Sequence, residues 1–225
     1  MKILAIDTSG DACSAALLCG GDLTQVLELA PRRHGELILD MMNGLLGDAG
    51  LALEDLDALA FGRGPGSFTG VRIATAVVQG AAFGAGLGVV GISTLAALAQ
   101  GHLRDSGHGR VLTALDARMG EVYWGHYEAS DAGLMELRGK EVVVRPQSIP
   151  RPVGGGWHGA GSGFAAYPVD LGEALGTELI AAFPDRVCEA RDIAVLAQKA
   201  CRDGLAVAPE LALPVYLRDR VTADG

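Results

Sequence analysis

Residues 62–74, GRGPGSFTGVRIA, place four glycines and a proline just ahead of an apolar run. Free amides at a helix N-terminus, together with glycines that admit a ligand close to the backbone, are the parts of a phosphate site. Gly64 and Gly66 are the candidates for such a contact. The stretch does not follow the GxxxxGK[ST] pattern, and no lysine stands where a phosphotransferase needs one. The same residues suit a tight strand-to-helix connection, with Pro65 fixing φ and Ser67 or Thr69 capping the helix. That structural reading is favoured, with phosphate contact secondary. The five histidines, His34, His102, His108, His126 and His158, include no pair one helical turn apart that would set two imidazoles on a metal. His102 and His108, separated by a Gly-containing loop, are expected to be solvated, and RRHGELI has a Glu near His34 but no second His for zinc-protease chemistry. Cys13, Cys19, Cys188 and Cys201 form no CxxC pair and read as free thiols.

Composition narrows the classes further. With 225 residues, 49% hydrophobic and 20% charged, the chain is expected to fold as an ordered globular protein of one large domain or two lobes. Its apolar runs are short or interrupted, and MKILAIDTSG lacks a long apolar core, so no membrane span and a cytoplasmic location are expected. A formal net charge of −9 opposes solitary clamping of nucleic acid, which needs a basic face. Any RNA role would be shared with a partner.

Apolar periodicity supplies the elements that position these residues. Residues 2–9, 12–19 and 23–30 read as strands of an antiparallel meander, and 35–48 as a helix. A strand at 56–62 then leads through the glycine-rich connection into a helix over 67–84. A short strand, GVVGI, and a helix from Ser93 to Gln100 follow. The opening then recurs: RVLTALDARMGEVYWG at 110–125 matches KILAIDTSGDACSAAL in a basic residue, an apolar strand and an Asp, so that Asp116 falls where Asp7 does. Farther on, 133–144 reads as a strand pair, 145–163 as a Pro/Gly-rich connection and Asp192–Arg202 as a helix. The expected organisation is an α/β fold of duplicated lobes with mixed sheets flanked by helices. The first lobe would be 1–105 and the second 106–225, with the last helix packing back on the first.

Two lobes that each open with a strand, an Asp and a hairpin resemble the actin, sugar-kinase and heat-shock-chaperone superfamily. Within it, ILAIDTS, GRGPGSFTGVRIA, ALDARMGEVYW and the closing LALPVYLRD resemble the bacterial TsaB family. The resemblance implies a non-catalytic partner and activator of the TsaD transferase, which adds threonylcarbamoyl to the adenosine beside the anticodon of certain tRNAs, with the TsaE ATPase completing the assembly. It implies no catalytic residue and no metal here, because the two histidines of TsaD enzymes fall at Thr94 and Leu98. It also implies that Asp7, Thr8, Ser9 and Asp116 stand where active superfamily members hold metal and phosphate, which leaves weak ATP or ADP contact as the one cofactor expectation. Binding of tRNA would come only through the complex. The alternative is a small stand-alone phosphotransferase, motivated by Asp7 and Asp116.

The helices carry the stronger indication. Projected at about 100° per residue, Leu37, Ile38, Leu39, Met41, Met42, Leu45 and Leu46 sweep roughly 200°, about twice the stripe that one core face requires. The helix after the glycine-rich stretch does likewise, leaving Arg72, Thr75 and Gln79 as its polar remnant. A partner interface is therefore expected at Leu37, Ile38, Met41, Met42, Leu45, Arg72, Val78 and Gln79, in a heterodimer or, for the isolated chain, a homodimer. The other reading is that the sheet and neighbouring elements cover both arcs.

Overall fold

The computed structural model describes residues 1–218. The chain divides into two compact units, Met1–Ala97 with Val187–Pro214, and Leu98–Arg186 with, among the described residues, 215–218. Residues 187–214 thus belong to the first unit, whereas a single cut at 105/106 assigns them to the second.

In the first unit the order is β1 (Lys2–Asp7), β2 (Ala12–Cys19), β3 (Asp22–Leu29), α1 (His34–Asp48), β4 (Ala58–Gly62), α2 (Phe68–Ala85) and β5 (Gly88–Ile92). The helix α3 (Thr94–Ser106) runs on into the second unit, past the Gln100 end expected from sequence. The sheet has strand order β3-β2-β1-β4-β5, with β1, β4 and β5 parallel and β2 and β3 antiparallel. Its central strands are buried on both faces, which is why β1 and β4 read as unbroken apolar runs instead of alternating ones. One face packs Leu4, Ile6, Leu59 and Phe61 against α1 and α2. The other packs Ile3, Ala5, Ala60 and Val90 against Ile193, Ala194 and Ala197 of the last helix, α6, whose range is Ala190–Arg202.

The second unit contains β6 (Arg110–Arg118), β7 (Glu121–Ala129), β8 (Met135–Leu137), β9 (Val142–Val144), β10 (Trp157–Ala160), α4 (Gly163–Ala166), α5 (Pro168–Leu175) and β11 (Leu179–Phe183). In the order β8-β7-β6-β10-β11, its sheet repeats the first plan, with an antiparallel meander and then two strands parallel to the opening one. The strands expected over 133–144 are present, but β8 and β9 do not pair with each other. Each lies on the outer edge of β7, with Leu137 opposite Tyr127 and Val144 opposite Val122. Trp124, Trp157, Phe164 and Leu171 fill the core of this unit.

Candidate functional site

Asp7, Thr8 and Ser9 end β1, and the connection from β4 to α2 lies directly on them. The Asp7 carboxyl is fully buried; its Oδ2 accepts from the Ser9 amide at 3.2 Å and the Ser9 hydroxyl at 3.0 Å, while Oδ1 has no partner. Burial pushes this carboxyl up to about 6, against the Ser9 and Cys188 hydrogen bonds that pull it down. The Thr8 hydroxyl donates to Gly70 O at 2.6 Å, and the Ser67 amide donates to Ser9 O at 2.7 Å. A Cβ at Gly66 would stand 2.5 Å from Ser9 O, and one at Gly62 would collide with Asp7 Oδ1.

These contacts give the glycines their reason. Gly62, Gly66 and Gly70 let two stretches of backbone touch, and Gly64 adopts a left-handed φ of 96° that L side chains avoid. Ser67 Oγ accepts from Gly70 N and caps α2, as expected for the connection reading. Asp7, Thr8, Ser9, Gly64 and Gly66, where weak nucleotide contact was expected, are buried or half-buried. Gly62 and Cys188 lie against the Asp7 carboxyl, and Ile193 lies beside Gly62. Ser14 Oγ accepts from the Ala190 amide, and Gln25 bridges Glu189 and Arg191, so the same sheet pins residues 189–191. Asp116, in the second unit, is committed to its own turn. Its Oδ1 accepts from the Arg118 amide and the Tyr167 hydroxyl, and its Oδ2 from the Arg118 guanidinium.

The helical surface also differs from the sequence reading. Ile38, Met41, Met42, Leu45 and Val78 are core residues of the first unit, each at most 8% exposed. Except at Leu39, the wide arc is covered by the sheet below, by α2, and by Leu51, Leu53 and Leu56 of the segment before β4. Leu37 is half-buried on the same core, and Gln79 donates to Ala212 O at 3.1 Å. Of the expected interface residues only Arg72 is exposed, with its guanidinium over the Phe68 ring. A different stripe faces outward: Phe68, Arg72, Ala76, Gly80 and Phe83 are all exposed on α2, and Leu39 is exposed on α1 beside it. Phe68 and Phe83 keep 61% and 80% of their surface open, far more than aromatic rings of a lone folded unit usually do. An open hollow of about 540 Å³, lined by Phe83, Leu87, Val207 and Pro209, extends this apolar face at the end of α2.

Comparison with known proteins settles the family. The chain is 44% identical to the tRNA threonylcarbamoyladenosine biosynthesis protein TsaB of Escherichia coli strain K12 over 224 residues, covering 98% of this chain and 96% of that protein. The chain belongs to the TsaB family. A TsaB of Haemophilus influenzae is 43% identical over 74% of each chain. The family model described as TsaD: tRNA N6-adenosine threonylcarbamoyltransferase matches residues 26–222. The solved structure of YeaZ from Pseudomonas aeruginosa superposes with a TM-score of 0.90 at 45% identity, covering 96% of this chain and 99% of that one.

For this TsaB-family chain, the positions that the resemblance matched to the TsaD histidines hold Thr94 and Leu98, both buried and the second without any ligand atom. The expectation of solvated histidines at 102 and 108 is corrected. His102 is buried, its Nε2 lies 3.0 Å from His158 Nδ1, and His108 stacks on His158 with ring centres 3.6 Å apart. Sequence reasoning missed Phe68, Ala76, Gly80 and Phe83 as one face. Their spacing along α2, two aromatics bracketing small residues, was the pattern that could have found it. Among the described residues, no helix is long and apolar enough to cross a membrane.

Proposed function

We propose that the chain is a non-catalytic partner and activator of a TsaD-type transferase in forming threonylcarbamoyladenosine beside the tRNA anticodon. It docks as a heterodimer through the outward face of α1 and α2, in the cytoplasm, with a TsaE-type ATPase completing the assembly. The observation that carries the reading is the exposed stripe from Phe68 to Phe83 with Leu39 beside it, in a chain of this family. Gly80 and Ala76 at the middle of the stripe allow a partner helix to come close, and the two phenylalanines supply anchors of the kind that dominate interface energetics. Binding the competent conformation of the transferase more tightly than the idle one would raise the population of that conformation, and so its rate. In the absence of the transferase, the same face pairs two copies of the chain.

The test uses Phe83→Glu and Leu39→Glu, each of which sets a charge on the exposed face without entering the core. Both variants keep the parental circular dichroism and melting temperature. Both lose co-elution with the transferase and lower modified-nucleoside yield in a mixture of transferase, ATPase, threonylcarbamoyl adenylate and unmodified tRNA. Co-elution of both variants at parental affinity would reject this face, and equal product with and without the chain would reject the activator role.

A further inference from the structure

The chain is acidic overall, yet its charge is unevenly spread along the second unit. Between Glu141 and Asp170 the sequence has no acidic residue, and the stretch from 138 to 151 carries Arg138, Lys140, Arg145 and Arg151. Arg138 is paired with Glu128 and Glu136. Lys140, Arg145 and Arg151 are exposed, and their side chains form no ion pair or hydrogen bond with a described residue. The acids nearest in sequence are occupied: Glu141 accepts from the Tyr127 hydroxyl, and Asp170 accepts from Gln147 Nε2 at 2.7 Å. The topology places the first of these cations along one sheet edge. Because β8 and β9 share the outer edge of β7, the chain from Leu137, opposite Tyr127, to Val144, opposite Val122, runs parallel to that edge for roughly 17 Å at about 3.4 Å per residue. Lys140 lies on this path, Arg145 just past its end, and Arg151 on the loop that follows.

We propose that this edge of the second unit contacts the sugar-phosphate backbone of an RNA. Three exposed cations spread over residues 140–151 suit successive phosphates of a strand, whereas a compact small anion would need them converged on one point. The inference rests on the pathway reading above, in which tRNA is the substrate. A chain of net charge −9 holds RNA weakly alone, so the contact adds to that of a basic partner.

The experiment compares the parent with the triple variant Lys140→Gln, Arg145→Gln, Arg151→Gln. Binding of fluorescein-labelled unmodified tRNA is followed by anisotropy across a KCl series, for the complex with the transferase and for the chain alone at low salt. The expected result is a slope of log affinity against log salt that is shallower by about 2 to 3, since each phosphate left without its cation removes about 0.7–0.9 from the slope, with co-elution unchanged. A paired control, Arg32→Gln with Arg202→Gln in the first unit, leaves the slope as it was. Equal slopes for parent and triple variant, an equal drop in the control, or loss of co-elution with RNA affinity intact would each overturn the proposal, the last by assigning the cations to a protein contact. If the parent itself fails to co-elute, the heterodimer reading falls, and the chain-alone measurement decides this one: absent or variant-insensitive tRNA binding overturns it.

Discussion

Replacing Asp7 with Asn removes the ionised carboxylate that the first unit buries against its own sheet. The folded-state pKa of about 6 stands above the ordinary 3.8, so the native protein binds this proton more tightly than the unfolded chain does. The stabilisation that follows is fully present below pH 3.8 and is lost as pH rises through 6. The cost of the ionised form at neutral pH is the difference of 2.2 pKa units times about 1.36 kcal/mol, or about 3 kcal/mol. Asn keeps the shape and can still accept from the Ser9 amide and hydroxyl, while its amide takes the place of the unpartnered Oδ1. Stability relative to the parent should therefore rise by about 3 kcal/mol between pH 4 and pH 7, equivalent to a melting-temperature gain on the order of 10 °C. Urea and thermal unfolding of both proteins, followed by circular dichroism at several pH values across that range, gives the difference directly. Only the difference is diagnostic, because other groups titrate in the same window. A variant-minus-parent value that stays flat from pH 4 to 7, or that falls, would refute the account of Asp7 as an acid whose burial outweighs its hydrogen bonds.

Further perturbations test other contacts. Met42→Glu or Val78→Arg should unfold the first unit instead of merely blocking a partner, since each sets an unpaired charge among core residues at a cost of several kcal/mol; a native melting curve for either would contradict their burial. Gly66→Ala should lower the melting temperature markedly, because its Cβ meets Ser9 O, a backbone atom that cannot swing aside, whereas Gly44→Ala, with open space around it, should stabilise α1 by about 1 kcal/mol. His102 is held down to about 4, chiefly by burial and then by His158, so its share of stability is complete above 6.5 and is lost as pH falls towards 4. Fluorescence of Trp124 and Trp157, both in the second unit, should report that loss on acidification, and His102→Phe should lessen it; an unchanged acid transition would show that His102 does not drive it.

Element type and order were legible because apolar periodicity is local. The unbroken run of β1, the helical spacing from Leu37 to Leu46 and the glycine signature of the connection each sit within a few residues of what they specify. The faces were less legible. Nothing near Met42 in sequence says that α2 and residues 51–56 will cover the outer half of its arc, so surplus apolar surface looked like an interface when it was core. Asp7 shows the same limit, since Cys188, which lies against its carboxyl, is near the other end of the chain. The His102–His158 pair spans 56 positions and crosses from α3 to β10, a contact that no spacing rule reaches. Phe68 and Phe83 remained hidden for the opposite reason: an exposed aromatic reads from sequence like any other apolar residue.

The return of residues 187–214 to the first sheet has a consequence for synthesis. A ribosome releases β1 to β5 early, with α1 and α2 available to cover one face. The opposite face, with Ile3, Ala5, Ala60 and Val90, waits bare until Ile193, Ala194 and Ala197 emerge near the end of translation. Most of the second unit has no such delay, because Leu98–Arg186 is one stretch of chain and, among the described residues, only 215–218 join it later. The nascent chain therefore matures from its middle outward, and for most of its time on the ribosome it carries an uncovered apolar sheet that a holding chaperone would recognise. A stop codon just after Arg186 would leave a half-cored first unit beside a second one that lacks Arg218 and its contacts to Ala117 O and Glu121, so late truncations should be cleared by proteolysis, although they delete less than a fifth of the sequence.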